Sequence, residues 1–167
     1  VHEELGFNWH MVDFAAAVEK HRPRAVIIVN PGNPTGGIFP RTDIAPLFDL
    51  VRKYGFFVIE DLAYEDLIYD SDYTILTEQA HTTNDPELYH RFIPIFSMSK
   101  SQNFSGLRIG YTHLSVPRLI ERYRKALLYT TNGVNSVAQW GAVEALDAKH
   151  EVRLKDMAEG YKARGDA

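Results

Sequence analysis

Residues 96–110 read FSMSKSQNFSGLRIG, placing two serines and a lysine just after an apolar run and a single arginine near the far end. A lysine amine can act as a nucleophile or a base, and hydroxyls with a guanidinium can hold an anion. Two other stretches carry comparable groups. Residues 30–37 read NPGNPTGG, and Asp61 and Tyr64 stand within EDLAY. Each stretch also has a purely architectural reading. Proline and glycine make NPGNPTGG a rigid turn, Asp61 suits a strand terminus or helix cap, and Tyr64 suits half-buried packing. Ser97 and Ser99 suit a capped turn, with Lys100 solvated and Arg108 in a surface ion pair. Taken singly, none of these groups defines a site.

The elements around them change that weight. Residues 12–21 have helical spacing and end near Pro23, and AVIIVN at 25–30 is a β-branched run of the kind found in strands buried on both faces. Ile44, Leu47, Phe48, Val51 and Tyr54 mark a helix over 42–54, with Thr42 as its N-cap and Gly55 closing it. FFVIED at 56–61, IPIFS at 93–97 and LRIGYTHL at 107–114 read as three more strands. The polar stretch 70–91 reads mostly as loop with one short helix. Further helices are expected at about 116–129, 136–148 and 151–164. Strands alternating with helices predict an α/β domain whose mainly parallel sheet is flanked by helices. Ligands of such sheets bind beyond the carboxyl ends of the strands. Asn33, Asp61 and the run from Ser97 to Lys100 all follow strand ends, so separate segments converge on one edge.

Composition narrows the classes. The chain has 167 residues, 45% of them hydrophobic, enough for one core. Its net charge of −4, without basic clusters, gives no polyanion-binding surface and no nucleic-acid partner. It has no cysteine, so disulfides, thiolate metal sites and cysteine nucleophiles are excluded, and a reducing, cytoplasmic setting is expected. No apolar run reaches the length of a membrane span. The seven histidines lack ligand spacing and no metal site is expected. Trp140 and Tyr123 read as core, and RLIERYRK at 118–125 as a solvated helix face.

The order and spacing of the motifs resemble the class I/II aminotransferases, pyridoxal-phosphate enzymes of the aspartate aminotransferase fold type. The family's N-P-x-N-P-T-G stands at Asn30 to Gly36, its D-x-A-Y at Asp61 to Tyr64, and its S-x-S-K at Ser97 to Lys100. Its phosphate-binding arginine falls at Arg108, within GLRIGY. The resemblance runs through nearly the whole chain. It implies that Lys100 holds the aldehyde of pyridoxal 5'-phosphate as a Schiff base and serves as general base, and that Asp61 keeps the pyridine nitrogen protonated. It further implies that Asn33 and Tyr64 donate to the ring's phenolic oxygen, and that Arg108, Ser97 and Ser99 hold the phosphate. The catalytic residues so implied are Lys100, Asp61 and Tyr64. The implied reaction moves an amino group between an amino acid and a 2-oxo acid.

Two parts of the family pattern are missing between Val1 and Ala167: the upstream phosphate loop with its stacking aromatic, and the downstream arginine that clamps the substrate carboxylate. The chain therefore reads as residues 1–167 of a partial pyridoxal-phosphate-binding large domain, the central part of a fold-type I enzyme, inactive alone and homodimeric when whole. YTTNGVNS at 129–136 resembles a family loop near the dimer interface, where Asn132 or Asn135 either lines a site or packs the loop. Two neighbouring readings share the same cofactor residues: a β-lyase or cyclopropane-forming synthase, and the non-catalytic, aminotransferase-like sensor domain of a transcription regulator.

Overall fold

The computed structural model describes residues 9–69, 72–147 and 151–166. The apolar runs form a four-stranded sheet in the order β1 (Ala25–Val29), β2 (Phe57–Asp61), β3 (Phe92–Ser97) and β4 (Gly110–Thr112). The first three are parallel, with Val29 opposite Asp61 and Asp61 opposite Ile95. Helices connect and flank them: α1 (Met11–His21), α2 (Ile44–Tyr54), α3 (Leu76–Thr82), α4 (Pro86–Tyr89), α5 (Met98–Ser101), α6 (Pro117–Thr131), α7 (Ser136–Ala145) and α8 (Glu151–Gly165). The chain divides into two compact units, one holding the described residues of 1–62 and 72–95, the other those of 63–71 and 96–167.

In the first unit α2 buries Leu47, Phe48 and Val51, the stripe its 3.6-residue spacing predicts. These pack in one cluster with Val18 of α1, Ile28, Val58 and Phe92. Gly55 ends α2 at φ 69°, its N–H returning to the Val51 carbonyl at 2.8 Å, as a left-handed cap requires. Thr42 is not the N-cap: it lies in a 3-10 turn, Arg41–Asp43, that leads into the helix. Among its described residues, the stretch 70–91 contains two short helices rather than one. Asp85 caps α4 by accepting from the Leu88 N–H, with Pro86 at the first position.

β1 differs from its sequence reading. Only Ile28 is buried, while Ile27 is 68% exposed and Val29 39%. In parallel register, Ile27, Ile59 and Ile93 share one face, and Val26, Val58 and Phe92 the other. Only that second face is covered by the helices of the first unit's core.

The second unit has a smaller cluster of Met98, Ile109, Ala138, Ala142 and Ala145, with Phe104 beside it. Alanines at i, i+4 and i+7 let α7 approach closely, so its larger side chains lie on the opposite side. Trp140 is accordingly 76% exposed and Tyr123 of α6 is 44% exposed, so neither is core. The basic run 118–125 lies on α6, a helix with no buried residue. β4 is shorter than expected because residues 105–107 form a 3-10 turn and Arg108 takes a left-handed conformation at φ 52°. His2, His150 and position 148 of the expected 136–148 helix lie outside the described residues.

Candidate functional site

Adjacent residues of a strand point to opposite faces, and the pair Glu60-Asp61 at the end of β2 uses this. Glu60 turns into the covered face and has no exposed surface. Asp61 shares the open face with Val29 and Ile95, its register partners. On this face of the first unit lies an open cavity of about 470 Å³ bordered by Ile27, Val29, Asn33, Pro34 and Ile38. Asn33 is exposed at its rim, in a loop tied by the Gly36 N–H to Gly32 carbonyl bond (2.7 Å) and the Gly32 N–H to Gly37 carbonyl bond (2.8 Å). Gly36 sits at φ 71°, where a side chain would be strained. Asn33 and Asp61 both stand at the carboxyl ends of strands of the first unit, Asn33 in the loop after β1 and Asp61 at the end of β2.

The second unit holds the other residues. Ser97 caps α5, its hydroxyl accepting from the Ser99 N–H at 3.3 Å, and a hydroxyl that accepts can still donate. Lys100 follows in α5, exposed, with its Nζ 5.4 Å from the centre of the Tyr64 ring. Two motifs distant in sequence therefore meet. Met98 anchors the short helix, being 2% exposed and donating its N–H to the Ile109 carbonyl at 3.3 Å. Gly110 is required beside it, because a Cβ there would lie 2.5 Å from the Phe96 carbonyl oxygen. Arg108 is exposed, and its Nη1 donates to the Ser105 carbonyl at 3.0 Å, leaving most of the guanidinium's five N–H groups for other acceptors. Tyr111 stacks on Phe96 with ring centres 4.7 Å apart. Burial, with smaller contributions from Glu65 and Asp66, pushes its phenol up to about 12, so it stays a neutral donor at ordinary pH.

Asn132 forms the left-handed cap of α6, and the Asn135 side chain accepts from the Ala138 N–H at 3.1 Å as the N-cap of α7. Both have architectural roles. Asn30 and Glu60 are functional candidates that the sequence reading passed over. Asn30 opens the first motif and Glu60 precedes Asp61, and those positions were the available signals.

The family model for aminotransferase class I and II matches residues 1–167. The chain belongs to this family. It is 30% identical over 138 residues to an aspartate aminotransferase of Thermotoga maritima, covering 83% of the chain and 35% of that relative. It is also 30% identical over 155 residues to a methionine aminotransferase of Escherichia coli, covering 90% of the chain and 37% of the relative. Among solved structures, a double mutant of Thermus thermophilus aspartate aminotransferase superposes with a TM-score of 0.85 at 25% identity, over 99% of this chain and 41% of that one. The chain thus spans little more than a third of the curated relatives' length, and its fold is that of the fold-type I aminotransferases. Among the described residues, no helix is long and apolar enough to cross a membrane.

Proposed function

We propose that the chain is the cofactor-binding part of a pyridoxal-phosphate-dependent aminotransferase that moves an amino group between an amino acid and a 2-oxo acid. The observation that carries this reading is the meeting of Lys100 with Tyr64, beside a serine-capped turn and Arg108, inside a chain of this family. The donor set fits a pyridine aldehyde carrying a phosphate: one amine, one carboxylate, an amide, a phenol, two serine hydroxyls and a guanidinium.

When bound, pyridoxal phosphate supplies an aldehyde that holds an amino group and a ring that takes up electrons released at the substrate's α-carbon. The chain's residues have distinct tasks in this reading. Lys100 anchors the aldehyde, and its amine holds or returns the proton at the α-carbon. Asp61 accepts a hydrogen bond from the ring nitrogen and keeps that nitrogen protonated. Asn33 and Tyr64 donate to the phenolic oxygen. Arg108 offers a planar fork to the phosphate, joined by the hydroxyls of Ser97 and Ser99. The whole protein is read as a cytoplasmic homodimer, in keeping with the family resemblance.

The test follows exchange of the substrate α-proton with solvent in the whole protein and its Asp61→Ala variant, both saturated with cofactor. A loss of ring protonation falls mainly on the transition state, so exchange should slow severely while cofactor binding survives in part. Equal exchange rates would remove Asp61 from the site.

A further inference from the structure

Asn30 and Glu60 are both 0% exposed, and a buried carboxylate is tolerated only when donors saturate it. Glu60 Oε1 accepts from the Leu76 N–H at 2.7 Å, while Oε2 accepts from the Thr77 N–H at 2.9 Å and the Thr77 hydroxyl at 2.7 Å. The Asn30 side chain reaches the same segment, 74–77, that supplies these donors. Asn30 Nδ2 donates to the Thr74 carbonyl at 3.0 Å, and its Oδ1 accepts from the Phe39 N–H at 3.0 Å. Its backbone is held as well, the N–H donating to the Asp61 carbonyl at 3.0 Å and the carbonyl accepting from the Tyr73 hydroxyl at 3.3 Å.

These bonds have a common geometric result. The loop that carries Asn33 begins after Asn30 and ends at Phe39, so one side chain closes it at both ends. Glu60 locked into the covered face fixes the opposite direction for Asp61, its neighbour in the strand. The two devices are joined through the segment 74–77, which accepts from Asn30 at Thr74 and donates to Glu60 from Leu76 and Thr77, and through the Asn30 N–H bond to the Asp61 carbonyl. We propose that Asn30 and Glu60 form one buried polar clamp that positions Asn33 and Asp61, a role that rests on the cofactor reading above. They are positioning residues. The simpler alternative is that Glu60 only caps α3, with no bearing on the loop.

The test compares amide hydrogen exchange across residues 32–39 and 76–82 in the whole, cofactor-free protein, for wild type, Glu60→Gln and Asn30→Ser. Glutamine keeps the shape of Glu60 but offers one carboxyl-type oxygen where two accept. Glu60→Gln should speed exchange over 32–39 about tenfold, although that loop bonds Asn30 and not Glu60. Titration with pyridoxal phosphate, read by its absorbance, should then show affinity weakened about tenfold in both variants, the effect of losing one hydrogen bond to a charged group. Should Glu60→Gln not fold, Asn30→Ser removes the side-chain bonds to Thr74 and Phe39 while leaving the three donors on Glu60, and the same loosening and weakening are expected. Exchange faster over 76–82 alone, or a loosened loop with wild-type cofactor affinity, would overturn the proposal. A wild-type protein that fails to bind pyridoxal phosphate would sink the cofactor reading; the exchange comparison would still uphold or overturn the clamp.

Discussion

The two units bury their apolar residues to different degrees. The first packs phenylalanines, leucines and valines from four helices and three strands into one cluster, while the second collects Met98, Ile109 and three alanines. α2 buries three of its residues and α6 none, although both have an apolar side. In α7 the alanines face inward, and Val137, Trp140 and Val143 stand 65–76% exposed. An apolar stripe therefore says which side of an element is meant for burial, and says nothing of what covers it. β1 teaches the same within the first unit, where Ile27 is apolar and uncovered.

Mutations can sharpen this contrast. The largest loss is expected for Phe92→Ala, which empties a fully packed site that includes an edge-to-face contact with Phe48 at 5.4 Å. Urea titration should give about 3–5 kcal/mol of lost stability. A value below about 1 kcal/mol would erase the distinction between the units.

The next effect falls on binding in the second unit. On the proposed reading Arg108→Leu removes a charge-assisted phosphate contact of about 1.5–3 kcal/mol, so cofactor titration of the whole protein should show affinity weakened by about one to two powers of ten. Unchanged affinity would make Arg108 a structural residue only.

A subtler effect separates Glu60 from ordinary carboxylates. Burial raises its pKa above the usual 4.5, while hydrogen bonds from Thr77 and Leu76 pull the other way. The folded chain then holds this proton to a higher pH than the unfolded chain does. The resulting stability is complete below the ordinary value and is lost as pH rises through the raised one. Stability of wild type relative to Glu60→Gln should accordingly fall as pH is raised from about 4.5, the ordinary value, in paired melts. A relative stability that rises over this range would contradict the burial argument.

The smallest effect is expected on the open side of α7. Val143 is 65% exposed, and Val143→Ala should change stability by no more than about 0.5 kcal/mol. A greater loss would mean that this face is covered, bringing the second unit closer to the first.

Much of the fold was readable because its signals are local. The period of α2 and its closing Gly55, the β-branched runs of β1 and β2, and the turn at NPGNPTGG each state their conformation within a few residues. What escaped depends on distant partners. Thr42 looks like a cap, but the preceding 3-10 turn displaces it. Trp140 looks like core, but the alanines of α7 make the closer contact. Glu60 drew no separate reading from the sequence, and strand alternation sends it inward to meet the start of α3. The motif residues were legible by type and order, and the structure adds the approach of Lys100 to Tyr64.

The central claim is that Lys100 carries the cofactor. Borohydride reduction of the whole protein loaded with pyridoxal phosphate, followed by peptide mapping, should place the label on the peptide that contains Lys100, and Lys100→Ala should abolish labelling there. A label on Lys53 or Lys125 instead would contradict both the motif assignment and the proposed chemistry.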